Sequence, residues 1–400
     1  MRRVAKDSER GIALLMVLVA LTVLGAMTAD FMETNETYVA TAVNERDAVK
    51  AEYLARSGVN LARLLLSVQP ILGKSLNFPF WQYADMIMSP FSGPEAGGGL
   101  TDMAGIDLQG AKGLGVSEGN FTVKILDEDS KINVNMASDQ VMRKRMVDQL
   151  AMLMAPVEYD PLFDRQSSDG QFLAREDVIC EIIDWTDPDE DRCDFSGSED
   201  PSYYQSLDTP YERKNAPFDS LEELHLVRGV DDDVWSTFVD PDPSKPEARV
   251  MTVWGKGKVN VNTAPAQVLF PLVCMMATDD TGVSACLDPM QRLNLLAILQ
   301  AMITLRTFMP FGTVRDFVAA IESPEERLFL PLAGFPLPGK RLARQLVTTR
   351  STVFSIYADG TVGKVTKRIH VVVDTEGTDM LDSAKTVAAS GGSVLYWRMD

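Results

Sequence analysis

From Ile12 to Ala29 the chain carries no charge and is almost wholly apolar, the most one-sided stretch in the sequence. A helix rising about 1.5 Å per residue over these positions is roughly 27 Å long, close to the hydrocarbon thickness of a bilayer. The apolar residues go all the way round, which favours a membrane span over a buried soluble helix. Beyond it, Asp30 to Ser57 contains neither Gly nor Pro. Val39, Ala42, Val43, Val49, Tyr53 and Leu54 recur there at mixed three- and four-residue steps among Glu45, Arg46, Asp47 and Lys50. This pattern predicts that the helix continues as an amphipathic rod until Pro70, whose missing N–H should end it.

The pattern then changes period. Phe78 to Gly115, with Pro79, Pro90, Pro94 and Gly97-Gly98-Gly99, reads as loop. Phe121 to Asp127 alternates and is rich in β-branched residues, so it predicts a strand. Val353 to Ala358 and Val362 to Asp374 flank Asp359-Gly360, which predicts a hairpin turning at that pair, and Val394 to Trp397 adds a terminal strand. Between these strand regions the chain reads mostly helical, and it repeats. Lys131-Ile132-Asn133-Val134-Asn135-Met136-Ala137 returns as Lys258-Val259-Asn260-Val261-Asn262-Thr263-Ala264, and the stretch from Pro217-Phe218 to Leu224 returns as Pro310-Phe311 to Phe317. In each copy Ser138 or Thr263 is placed to cap one helix, and Ser220 or Thr313 another.

Charge narrows the function classes. A formal net charge of -19 argues against nucleic acid and favours a divalent cation or a basic partner. Arg2, Arg3, Lys6 and Arg10 before the span, with Asp30, Glu33 and Glu36 after it, predict a cytoplasmic N-terminus and an extracytoplasmic head. In that compartment the two close cysteine pairs, Cys180 with Cys193 and Cys274 with Cys286, could both be bridged, with buried free thiols as the alternative. A cysteine zinc site fails on spacing, because there is no C-x-x-C and His225 and His370 lie far apart. A cleaved secretory signal is poorly supported, since Leu24 precedes Ala26 by two and Met27 precedes Ala29 by two.

The junction Arg10-Gly11, where a charged leader abuts the apolar run, resembles a prepilin. That resemblance implies cleavage between Gly11 and Ile12 by a prepilin peptidase, leaving the helix in the inner membrane. Pilins usually carry a glutamate at the fifth mature position. Here that position is Met16, and the chain is similar to the minor pseudopilin K class of type II secretion, which characteristically lacks the acid. The resemblance extends to the two Lys-x-Asn-x-Asn segments, to Asp184-Trp185-Thr186-Asp187, Tyr203-Tyr204 and Lys214-Asn215-Ala216-Pro217-Phe218. It implies an α+β pilin-like fold, a long N-terminal helix with an antiparallel sheet, interrupted by a large all-α insert of two SAM-like units. The expected divisions are a leader at 1–11, a membrane half-helix at 12–29, its soluble half at 30–69, and the first part of the head at 70–135. The two helical units follow at 136–257 and 258–350, and the closing strands at 351–400. The implied role is assembly at the tip of a pseudopilus with minor pseudopilins I and J.

Asp184, Asp187, Asp189, Glu190, Asp191, Asp194, Glu199 and Asp200 crowd one short stretch. Hard oxygen donors on a loop suit Ca²⁺, although the spacing is not an EF-hand and a solvated acidic loop is the alternative. The resemblance favours the ion, with Asp187, Asp189, Glu199 and Asp200 as leading ligands and Asp184 and Asp191 behind them. No G-x-S-x-G, H-E-x-x-H or phosphate-cradling loop occurs, so no catalysis is read. Two other functions compete: a minor pilin of a type IV pilus, and a membrane-anchored helix-hairpin-helix DNA receptor. The second is opposed by Asp231-Asp232-Asp233 beside Arg228-Gly229.

Overall fold

The computed structural model describes residues 6–76, 79–94, 118–164, 166, 170, 172–193, 197–279, 281–375 and 392–400. Helix α1 spans Lys6–Leu76 without interruption. It runs through Pro70, because one missing donor in the final two turns is too small a loss to break so long a helix. Its N-terminal part holds the one segment among the described residues that is long and apolar enough to cross a membrane, with a mean hydropathy of 2.5. Phe80 to Phe91, read above as loop, forms short helical turns that include α2 (Ala84–Met88). The glycine run near Gly97 lies outside the described residues.

The soluble half of α1 rests on a four-stranded antiparallel sheet of order β1-β6-β7-β8, where β1 is Asn120–Asp127, β6 Val353–Val362, β7 Val365–Asp374 and β8 Ser393–Met399. Alternation decides which residues face the helix. Phe121, Val123 and Ile125 of β1 join Ile356, Ala358, Ile369 and Val371 against Ala51, Ala55, Val59 and Ala62 of α1. The small α1 residues let the helix lie close. Gly360 marks the tightest approach, since a Cβ there would overlap the carbonyl oxygen of Ala51 and lie 2.6 Å from the nitrogen of Ala55. Asp359-Gly360 is therefore not the turn but part of β6. The hairpin turns four residues later at Gly363-Lys364, where Gly363 takes φ +58°, as a two-residue turn with glycine first requires.

Between β1 and β6 the chain leaves the sheet and builds an insert with its own continuous apolar core. Its longer helices are α3 (Gln140–Met154), α4 (Arg175–Thr186), α5 (Ala266–Met276), α6 (Pro289–Leu305) and α7 (Val314–Glu322). The repeat read in the sequence is built twice in three dimensions. Asn135 holds both backbone groups of Phe218, accepting from its N–H at 2.7 Å and donating to its carbonyl at 2.9 Å. Asn262 does the same to Phe311 at 2.7 and 3.0 Å. Each copy also opens with a two-residue parallel pair, β2 (Ile132–Asn133) with β3 (Met251–Thr252), and β4 (Val259–Asn260) with β5 (Val347–Thr348). Thr313 caps α7 through a reciprocal pair of bonds with Asp316, and Glu223 accepts from the N–H of Ser220. Ser138 and Thr263 cap nothing: Asp139 accepts from the N–H of Met142 at the start of α3, and Thr263 points into the neck described next.

Candidate functional site

Two polar clusters lie in the insert. The first is the neck, where β1 gives way to the insert. Asp127, Glu128, Asp129, Ser130 and Lys131 are each at most 6% exposed. Three consecutive acids there all bond to the segment Ser351 to Ser355, and two of them reach other parts of the insert as well. Asp127 Oδ2 accepts from Ser351 Oγ, Thr263 Oγ1 and Asn260 Nδ2. Glu128 pairs with Lys131 Nζ at 2.8 Å and accepts from Thr252 Oγ1 and Ser355 Oγ. Asp129 Oδ2 accepts from the backbone N–H groups of Thr352 and Val353. Burial raises Asp127 to about 7, helped by the charge of Asp129. Glu128 is equally buried, yet the charge and hydrogen bond of Lys131, with Ser355 and Thr252, hold it at about 2. Sequence reading missed this cluster. Its signal was five polar residues directly after an alternating strand, at a place where the chain has to change direction.

The second cluster is the acid loop. Helix α4 presents Cys180, Glu181 and Asp184 at one- to four-residue steps on buried positions. Cys180 is joined to Cys193, with Cα atoms 5.1 Å apart, and Cys274 to Cys286, 5.6 Å apart. The first bridge holds the returning chain against α4, and Asp184 Oδ1 accepts from the N–H of Cys193 at 2.8 Å. Two arginines enter from elsewhere in the sequence. Arg143 of α3 meets Asp187 at 3.1 Å and Asp189 at 2.5 Å. Arg213 bridges Glu181 at 2.7 Å and Glu199 at 2.9 Å, with its guanidinium over the Tyr204 ring.

The carboxylates outnumber these cations, and their protonation reflects it. Burial, then repulsion from Glu199 and Asp187, raises Asp184 to about 8. Burial raises Asp187 to about 6 and Glu199 to about 7, in each case against the pull of an arginine. Asp189 is lowered by its bond to Arg143, and Asp200 by bonds from Ser202. Both carboxylate oxygens of Asp187 and Oε1 of Glu199 are buried without a hydrogen-bond donor; the Asp187–Arg143 contact is an ion pair lacking hydrogen-bond alignment. The structure thus gathers Asp184, Asp187 and Glu199 into one group whose mutual repulsion Arg143 and Arg213 only partly offset. Asp191 lies on the loop's turn, in a bridge with Ser198, and Asp200 is engaged with Ser202. Asp194 lies outside the described residues. Among the described residues no three of the acids converge as ligands on one point. The excess charge and the open oxygens of Asp187 and Glu199 fit a hard cation in kind.

Gly11 and Ile12 lie within α1, both exposed, at the start of the apolar run.

Residues 130–238, which include both the end of the neck and the acid loop, match the family Type II secretion system (T2SS), protein K. No curated protein matches the chain significantly. Among solved structures, the chain is similar to one from the GspK-GspI-GspJ complex of the enterotoxigenic Escherichia coli type 2 secretion system, at 15% identity over 71% of this chain and 80% of that one, with a TM-score of 0.45.

Proposed function

We propose, from the match of residues 130–238 to the type II secretion system protein K family, that this chain belongs to that family and is a structural subunit at the tip of the pseudopilus, assembling with minor pseudopilins I and J. The observation that carries the tip position is the shape of the molecule. An insert of more than two hundred residues, with its own core, sits beside a helix that would have to pack against its neighbours at every step of a filament. Repetition of that bulk along a shaft is sterically unfavourable. Charge agrees with bulk. In a bundle of pilin helices a buried carboxylate can satisfy a neighbour's N-terminal amine, and an unpaired charge in lipid costs several kcal/mol. Met16 offers no carboxylate, so the subunit suits an end of the filament, where one neighbour is missing.

Under this reading the chain is single-pass in the inner membrane with its N-terminus cytoplasmic and its head periplasmic. A prepilin peptidase cuts between Gly11 and Ile12, and the role is architectural, without catalysis. Calcium belongs to the same proposal. Asp187 and Glu199 would hold it, with Asp184, Asp189, Asp191 and Asp200 around them, and the ion would supply the positive charge that Arg143 and Arg213 leave short. Immunogold labelling of overproduced pseudopili tests the position. One label at a filament end is expected, and label at many sites along the shaft would refute it.

A further inference from the structure

The two edges of the head sheet differ. At the start of β1 the edge is covered: Ser89–Phe91 turns beside it and the carbonyl of Ser92 accepts from the N–H of Phe121 at 2.9 Å. At β8 no described residue covers the edge, the last in the order β1-β6-β7-β8. Arg368 and Asp400 exchange both of their N–H···O bonds, so they form a hydrogen-bonded pair, and in an antiparallel ladder such pairs alternate with non-bonded ones. The register Ile369 with Met399 and Val371 with Trp397 makes those two the non-bonded pairs. The N–H and C=O groups of Trp397 and Met399 therefore point away from β7, out of the sheet.

Natural edge strands are usually blunted by a proline, an inward charge or a bulge. Ser393–Met399 has no proline, and its single charge, Arg398, is paired to Asp400. The one bulge leaves Leu395 unpaired at the start of the strand, so Tyr396 to Met399 stay in regular register. Trp397 and Met399 are each 44% exposed, on the same face of the sheet as α1. The edge offers backbone donors and acceptors in register, flanked by apolar side chains. An extended strand supplies what such an edge lacks, whereas a helix face carries no free backbone groups to match it.

The position of this edge indicates whose strand it is. Arg56 of α1 lies over the Trp397 ring, 5.9 Å from its centroid, and Arg63 donates to the carbonyl of Gly392 at 3.0 Å. At 3.6 residues per turn, Val49, Tyr53 and Leu64 fall within about 60° of one another on the side of α1 turned away from the sheet, and Arg56 and Arg63 lie at the margin of that stripe. All three apolar residues are more than half exposed. The free edge of β8 is thus continuous with the outer face of the helix on which a neighbouring subunit packs in the proposed assembly.

We infer that β8 accepts an added strand from the neighbouring pilin-like subunit, through the outward backbone groups of Trp397 and Met399. The inference rests on the assembly role proposed above. Hydrogen exchange of the full-length chain in detergent, alone and with minor pseudopilins I and J, reads it directly: the amides of Trp397 and Met399 should slow by about tenfold or more in the complex. Trp397→Pro removes one outward N–H while leaving the ladder to β7 intact, and Trp397→Ala removes the ring alone. The proline variant should retain the partners about tenfold less well than the alanine variant. Unchanged exchange at both amides, or equal retention by the two variants, overturns strand addition and leaves the assembly role standing. If the unmodified chain captures neither partner, the assembly role falls and takes this inference with it.

Discussion

Asp129 accepts a 2.7 Å hydrogen bond from the backbone N–H of Thr352, a residue 223 positions further along the chain. It also receives the N–H of Val353 and the hydroxyl of Thr352, so one carboxylate fastens the start of the insert to its end. Asp129→Ala would leave two backbone donors unpaired at the neck, at about 1–3 kcal/mol each. The melting temperature should fall sharply, and a protease should cut near Thr352. An unchanged proteolytic pattern would mean that the neck does not depend on this carboxylate.

The neck should also respond to pH. Asp127 sits at about 7 in the folded chain, against an ordinary value of 3.8. Between about pH 4 and 7 the folded chain therefore keeps a proton that the unfolded chain has lost, and this group's contribution to stability declines as pH rises through that window. Glu128, held at about 2, works in the opposite sense: its contribution is present above about pH 4.5 and is lost as pH falls towards 2. Asp127→Asn should remove the first slope and keep the second. Melting curves of the two proteins from pH 4 to 8 should diverge, and parallel curves would count against a proton on Asp127.

Calcium should raise the melting temperature through Asp187 and Glu199. A ligand at a hundred times its dissociation constant adds about 2.7 kcal/mol to a protein that binds it only when folded. Asp187→Asn or Glu199→Gln should abolish most of the difference between calcium and chelator while relieving part of the repulsion in the chelated state. If chelator leaves the melting temperature of the full-length protein unchanged, the ion has no place in this loop.

Gly360→Ala tests the seat of α1 on the sheet. The added methyl would meet the carbonyl oxygen of Ala51 and the nitrogen of Ala55, both backbone atoms that cannot rotate aside. Overpacking of this kind typically costs about 1–3 kcal/mol. Loss of stability is expected with the Cys180–Cys193 and Cys274–Cys286 bridges still formed, as thiol titration would report. A neutral substitution would mean that the helix is free to shift.

Leader processing gives the last test. Gly11 has no side chain where a protease must reach the backbone, while the apolar run beyond it remains in lipid. The mature N-terminus read by mass spectrometry should be Ile12, and Gly11→Leu should leave full-length precursor. Any other mature N-terminus would reject the site.

What could be read from the sequence depended on how far apart the interacting residues lie. The long apolar helix, β1 and the terminal strand follow from local periodicity. The duplication was visible because Asn135 and Asn262 perform one task twice, each clasping a phenylalanine. Asp359-Gly360 misled because the pair suits a turn equally well, and only the crossing of Ala51, some three hundred residues earlier, shows why a glycine is needed within the strand. The neck was hidden for the same reason: apart from the Glu128–Lys131 pair, Asp127 to Asp129 bond to residues more than a hundred positions away. In the acid loop the carboxylates were evident, but Arg143 and Arg213, which divide them, lie well outside the crowded stretch.

The pairing of β1 with β6 has a consequence for the order of folding. Asp127 stands opposite Phe354, so these strands form a hairpin whose connection is the whole insert. Closing a flexible loop of that length costs about 3–4 kcal/mol more than closing one of five residues. If the insert condenses first, its two ends already meet at the neck and the penalty disappears. On that order the insert would act as the nucleus, and the sheet would close only afterwards against α1. Condensation of the insert would then decide when the strands on either side of it can pair.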